Sequence, residues 1–268
     1  MEQLAKWTLY EGTVESSMVP LSDDVDPFWD VDVRVRFTGP SGQASVVEAF
    51  WDGGATWRFR FAPDEVGVWT WEVSSNLTED EGLNGPTGRF RCEPYEGDNP
   101  LYNHGPVRLA ENRRYLVWDD GAPFFWLADT AWNGVLRADE ADWTRYLETR
   151  REQDFTAVQF VSTQWRGGRE VLEGARAFEG TDHIRLNPDF FRALDDKVAA
   201  INDHGLVAAP VALWTLTESD PGQILTEVDA VRLVKYLVAR WGAYHVVWLL
   251  GGDGRYQDEA VAARWRRI

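Results

Sequence analysis

Cysteine is almost absent: Cys92 is the single one in 268 residues. One thiol makes no internal disulfide, so a disulfide framework is excluded, and within "GRFRCEP" it reads as a small core residue of a strand. Lysine is nearly as scarce. Lys6, Lys197 and Lys235 stand against 24 arginines among the 27 basic residues, and the formal charge is −17. Such an acidic surface repels phosphate backbones, so nucleic acid is not expected as a partner. An acid-rich, lysine-poor surface also suits a salty, halophilic setting, where ions screen self-repulsion. The four histidines (His104, His183, His204, His245) show no metal-ligand spacing. No metal and no other cofactor is expected. No apolar run approaches the ~18 residues of a membrane span, so no membrane partner is expected. The start, "MEQLAKWTLYEG", lacks a basic n-region and an apolar stretch. A cytoplasmic location is expected, with secretion open if the N-terminus is incomplete.

Tryptophan, by contrast, is abundant, at fifteen residues. Its large apolar face and single N–H donor suit a core, and they also suit the apolar faces of sugar rings. The first ~95 residues alternate with the strand period of two. "FWDVDVRVRF" sets Phe28, Val31, Val33, Val35 and Phe37 against Asp30, Asp32, Arg34 and Arg36. "TWRFRF" sets Trp57, Phe59 and Phe61 against Arg58 and Arg60, and "VWTWEV" repeats the pattern. Turn formers ("TGPSGQ", "WDGG", "APDEVG", "LNGPTG") separate these runs. Short strands with frequent turns predict an immunoglobulin-like β-sandwich over residues 1–96, although the Cys-Trp-Cys pattern of true immunoglobulin domains is missing.

Residues 97–122 read as a linker and a small hairpin, Val107–Ala110 with Tyr115–Trp118. From residue 123 to 268 strands and helices alternate. The predicted strands are "FFWLA", "TAVQFV", "LVAAPVAL" and "HVVWLL". The predicted helices lie in "DEADWTRYLETRREQDF", "PDFFRALDDKVAAINDHG", "ILTEVDAVRLVKYLVARWG" and "QDEAVAARWRRI". Trp143, Tyr146, Leu147 and Arg150 fall at helical spacing in the first helix. Asn187, Pro188 and Gly205 supply the cap, first position and stop of the second. Four β-α units in a row predict a parallel sheet, the first half of a (β/α)8 TIM barrel.

Each strand then hands over to polar and aromatic residues at one edge of the sheet. The first gives Asp129, Thr130, Trp132 and Asn133; the second Gln164 and Trp165; the third Trp214, Thr215 and Glu218. The fourth gives Gly252, Asp253, Arg255 and Tyr256. No histidine or cysteine joins them, which disfavours Ser/His and Cys/His nucleophile schemes. Carboxyl groups in an aromatic cleft point to glycoside hydrolysis. Each of these residues also has a plainer structural role. Asp253 could cap the following helix, Asp129 could cap a short helical turn, and Trp132, Trp165 and Trp214 could each be core. Glu218 reads as a solvated charge. The two glycines before Asp253 would let backbone or ligand approach closely.

The stretch "PFFWLADTAWNGVLRADEADWTRYLETRREQDFTAVQF" resembles the start of the apiosidase-like glycoside hydrolase domain. "NPDFFRALDDKVAAINDHGLVAAPVALW" and "ILTEVDAVRLVKYLVARWGAYHVVWLLGGD" continue the resemblance in order. The N-terminal half, including "FAPDEVGVWTWEV", resembles the sandwich that often precedes that domain. The resemblance implies a barrel glycosidase acting on plant or polysaccharide sugars. It makes Asp253, at the end of the fourth strand, the catalytic acid/base. It gives Asp129, Trp132, Gln164, Trp165, Trp214 and Gly252 to a carbohydrate substrate. In that pattern the nucleophile comes from a seventh strand, and this chain ends at Ile268, near its fourth helix. The expectation is therefore a partial barrel with an open edge, inactive alone or completed by another chain or by self-association. A non-catalytic carbohydrate-binding or assembly protein, or a fragment of a decayed gene, is the competing expectation.

Overall fold

In the computed structural model, residues 1–18, 25–166, 172 and 174–268 are described. Two compact units emerge from the contacts: residues 1–106 with 239–244, and residues 107–238 with 245–268.

The first unit is built from β1 (Glu2–Ala5), β2 (Tyr10–Glu15), α1 (Pro27–Asp30), β3 (Val33–Thr38), β4 (Ala44–Glu48), β5 (Phe50–Trp51), β6 (Thr56–Phe61), β7 (Gly67–Ser75), β8 (Thr87–Glu93) and α2 (Pro100–His104). One sheet runs β1-β8-β7-β3-β4 and the other β2-β6-β5. All pairings are antiparallel except β1 with β8. Alternation decides what is buried. Val33, Val35 and Phe37 are at most 2% exposed, while Arg34 and Arg36 between them face solvent. The aromatic members of the core pack ring on ring: Phe37 stacks on Phe61 with centroids 4.1 Å apart, and Tyr10 on Phe90 at 4.3 Å. Cys92 lies in this core, and burial pushes its thiol pKa up to about 11.

Two details depart from the alternation pattern. The run "FWDVDVRVRF" does not begin as a strand, because Asp26 caps a helical turn there. Its carboxylate accepts from the amides of Phe28 (2.9 Å) and Trp29 (3.3 Å), and Pro27 sets the first helical φ. Arg60, predicted on the polar face, is 6% exposed. Its Nε meets Glu11 at 2.7 Å and its Nη1 donates to the carbonyl of Arg240 at 2.8 Å. Arg240, in the segment that groups with this unit, is fully buried and pairs with Asp52 at 2.9 Å; Arg58 holds the other Asp52 oxygen, also at 2.9 Å. Buried charge is tolerable here because each charged group finds an opposite partner.

The second unit continues with β9 (Arg108–Leu109), β10 (Leu116–Val117), β11 (Pro123–Phe124), β12 (Ala128–Thr130), α3 (Gly134–Arg137), α4 (Glu140–Glu152), β13 (Ala157–Val161), β14 (Phe178–Glu179), β15 (Arg185–Leu186), α5 (Pro188–Asp203), β16 (Val207–Leu213), α6 (Pro221–Ile224), α7 (Glu227–Trp241), β17 (Leu249–Gly251) and α8 (Glu259–Arg267). The last turn of α7 is counted with the first unit. Strands β12-β13-β16-β17 form a parallel sheet in chain order, so their C-terminal ends share one edge. α5 begins where sequence places it: the Asn187 side chain accepts from Asp189 N at 3.2 Å, and Gly205 turns the chain at φ 72°.

The stretch "FFWLA" splits. Pro123 and Phe124 pair with β10 in a small antiparallel sheet, Phe125 is 75% exposed, and the parallel strand starts at Ala128. "HVVWLL" shortens to Leu249–Gly251 plus one bridge from Val246 to Ala208, and Leu250 is 49% exposed. Among the described residues this strand pairs with β16 alone, so it is an edge strand, whereas β13 and β16 have a strand on either side. The architecture is a mixed β and α/β fold with several sheets.

Candidate functional site

Asp129 is the central residue of β12, and its side chain points to α4. One carboxylate oxygen accepts from Tyr146 Oη at 2.9 Å and from Arg150 Nε; the other accepts from the amide of Thr130 at 2.7 Å. Burial alone would raise its pKa, but these donors outweigh it and hold the carboxyl below the usual range. The Tyr146 phenol moves the other way, first through burial and then through Asp129. Tyr146 and Arg150 are four residues apart on one face of α4, where sequence already showed helical spacing. Sequence offered no sign that this face meets Asp129. Asp129 does not cap a helical turn either: α3 follows Asn133.

Beyond the strand ends three indole rings converge from three adjacent strands. Trp214, after β16, lies 5.1 Å from Trp132 and 5.4 Å from Trp165, ring centre to ring centre. Trp132 is half-buried and anchored by its carbonyl, which accepts from Val161 N at 2.9 Å. Trp165 and Trp214 are 7% and 6% exposed. The indole N–H of Trp165 is buried and has no hydrogen-bond partner among the described residues. Arg166, at a left-handed φ of 53°, lays its guanidinium over the Trp165 ring at 4.5 Å. Gln164 is committed to backbone: its oxygen accepts from Ala177 N at 3.0 Å and its nitrogen donates to the Phe178 carbonyl at 3.2 Å. A cavity of about 420 Å³ opens beside this cluster, lined by Thr130, Trp132, Asn133, Tyr146, Trp165 and Arg166 among others. Neither Asp253 nor Trp214 belongs to its lining. Residues 167–171 and 173, in the loop predicted after the second strand, lie outside the described residues.

Asp253 sits on the exposed turn that follows β17. It is not the cap of α8. That role belongs to Asp258, which accepts from Ala260 N at 2.8 Å and Val261 N at 3.3 Å. Gly252 is where the chain passes the Trp214 ring: a Cβ there would stand 2.6 Å from it. Tyr256 folds back over the turn and donates to the Gly252 carbonyl at 2.8 Å. Burial raises the Tyr256 pKa, and the Asp253 charge adds to that. Glu218 is exposed in the loop after β16, as a solvated charge. Among the described residues no group of His, Cys, Asp and Glu could hold a metal ion, and no helix is long and apolar enough to cross a membrane.

Residues 110–268 match the model of the apiosidase-like catalytic domain, and residues 3–76 match a domain of unknown function, DUF5060. A candidate glycoside hydrolase from Bacteroides vulgatus ATCC 8482 is similar along 99% of this chain, with 20% identity and a TM-score of 0.74. A family 5 glycoside hydrolase from the same organism covers 65% of the chain at 22% identity and a TM-score of 0.54. A third structure, a glycoside hydrolase, covers 64% at 22% identity and the same TM-score. The chain spans 52%, 38% and 39% of these proteins, about half their length or less. At such identities the likeness speaks to the fold. No curated protein matches the chain.

Proposed function

The chain belongs to the apiosidase-like family, and from that premise we propose that it is a glycoside hydrolase in which Asp253 handles the proton. The observation that carries this reading is a carboxyl at the C-terminal edge of a parallel sheet, free of the helix cap, on a turn whose Gly252 lies against Trp214. In the forward step the Asp253 acid gives its proton to the leaving glycosidic oxygen; in the return step the carboxylate takes one from water. A retaining route also needs a second carboxyl about 5–5.5 Å away. Trp132, half-buried at the cavity, supplies a flat apolar face for the sugar, with Trp165 and Trp214 packed edge and face behind it. In this reading Asp129 and Gln164 shape the strand ends on which the rings stand. The finer architecture we propose is an immunoglobulin-like sandwich followed by four β/α units of a (β/α)8 barrel.

The test is Asp253→Asn. Hydrolysis of a responsive plant or microbial glycan should fall about 10²- to 10⁴-fold, the usual share of a positioned acid/base, while glycan quenching of Trp fluorescence is unchanged. Undiminished turnover in the variant would sink the assignment. Binding by the native protein with no hydrolysis of any glycan would favour the second reading, a carbohydrate-binding module, which the tryptophan cluster also supports. The acidic, lysine-poor composition supports a salt-adapted protein. Its melting temperature should then rise between low and ~1 M salt, where the screening length falls to ~3 Å.

A further inference from the structure

Asp253 lies in a turn that carries three glycines, and each has a neighbour where a side chain would be. A Cβ on Gly251 would stand 2.5 Å from Tyr256 Oη and 2.9 Å from Trp265; one on Gly252, 2.6 Å from Trp214; one on Gly254, 2.9 Å from the Tyr256 ring. The turn is thus moulded on side chains from three places: its own downstream end, α8 and the loop after β16. Trp265, 4% exposed, is the residue of α8 that reaches it. The neighbouring Arg264 reaches the other way. Its Nη1 donates to the Gly222 carbonyl at 2.7 Å and its Nη2 to the Leu225 carbonyl at 2.9 Å. Gly222 in turn donates its amide to the Trp214 carbonyl at 2.7 Å. The contacts close a circuit: Asp253 turn, α8, Arg264, α6, Trp214, Gly252, and back to Asp253.

We propose that Arg264 is a positioning residue, which holds the Asp253 turn in register with Trp214 by clamping α8 to α6. The carbonyls of Gly222 in α6 and of Leu225, its C-cap, need donors, and a planar guanidinium offers two at fixed separation. A lysine ammonium keeps the charge but not the fork. The guanidinium is partly buried, so burial lowers its pKa, with Glu227 opposing and Arg267 adding to that shift. The clamp itself is independent of the reading of Asp253 as the acid; its effect on turnover rests on that reading.

Arg264→Ala and Arg264→Lys in the full chain test it, read by amide hydrogen exchange. Both should speed exchange roughly tenfold or more in residues 214–225 and, decisively, in 251–256. Ethylguanidinium should restore protection in the alanine variant but not in the lysine variant, a response that general loosening would not give. Hydrolysis should fall about 10- to 100-fold in kcat with little change in KM, as expected when a catalytic group is displaced by about an ångström. If the alanine variant does not fold, exchange in the lysine variant decides. Faster exchange confined to 222–225, with 251–256 unchanged, overturns the proposal. If Asp253→Asn keeps full hydrolysis, the acid assignment fails while the exchange result still judges the clamp.

Discussion

In the first unit Trp69 is 2% exposed and gives its indole N–H to the carbonyl of Glu65 at 2.9 Å; Trp71 gives its own to Tyr10 Oη at 2.8 Å. In the second, Trp165 is 7% exposed and its N–H meets no acceptor among the described residues. Burial barely separates these residues, but the fate of the N–H does. A core indole settles its one polar group within the fold. A buried orphan donor costs about 1–3 kcal/mol and asks for an explanation. In the second unit that orphan belongs to a cluster of three rings gathered from three strand ends. Composition could not have divided fifteen tryptophans this way. The fold does so by deciding which indole N–H groups face an acceptor, backbone or side chain.

The sharpest way to break this comparison is to make the same deletion on both sides. Trp57→Ala, in the first core at 1% exposure, should cost about 3–5 kcal/mol in chemical denaturation. It should leave glycan affinity unchanged. Trp132→Ala should do the reverse, with a small stability loss and an affinity loss of about 2- to 12-fold, the ~0.5–1.5 kcal/mol of an aromatic contact. Equal stability losses without an affinity change would erase the distinction.

Carboxylates sharpen it next. Asp80 is fully buried and receives the Ser16 hydroxyl (2.5 Å), the Ser17 amide (2.9 Å) and hydroxyl (2.8 Å), and the Gly82 amide (3.0 Å). Burial pushes its pKa up, but these donors outweigh that and leave it lowered. Its folded pKa therefore lies below its unfolded value, so its contribution is complete above about pH 4 and is lost as pH falls through the folded pKa. Asp80→Ala should cost about 1–3 kcal/mol at neutral pH and flatten the acid limb of the stability curve. Asp129→Ala carries the same sign, because its pKa is lowered too. The effect should be smaller, since its side chain is 26% exposed and solvent screens the pair. The smallest effect separates the two indoles directly. Trp69→Phe should cost about 0.5–1.5 kcal/mol for the lost N–H bond, whereas Trp165→Phe should be neutral or slightly stabilising. A comparable loss at Trp165 would mean that its N–H has a partner after all.

Much of the local structure was legible in the chain. "VRVRF" and "TWRFRF" specify strands because side chains alternate whatever the strand pairs with. Asn187, Pro188 and Gly205 bracket α5 because capping is settled within a few residues. The sheet edge that gathers Asp129, Trp132, Trp165, Trp214 and Asp253 follows from counting β-α units. Less was legible wherever a residue's role depends on a distant partner. Arg60 alternates onto a polar face, yet Glu11 and the Arg240 carbonyl, 49 and 180 positions away, make that face a buried one. Asp129 reads as a free strand-end acid until α4 swings Tyr146 and Arg150 onto it. Asp253 and Asp258 both precede α8, and only backbone geometry shows that the second is the cap.

By itself the sequence determined the periodicities, the cap and stop of α5, the acidic charge and the set of chemical groups at one edge of a parallel sheet. These are properties of the covalent chain and its nearest neighbours. The tertiary structure alone decided which carboxyl is bound by an arginine, which indoles find an acceptor for their N–H among the described residues, and which arginine reaches across from α8 to α6. Such choices depend on distances of a few ångströms between segments far apart in the chain, which no local pattern records.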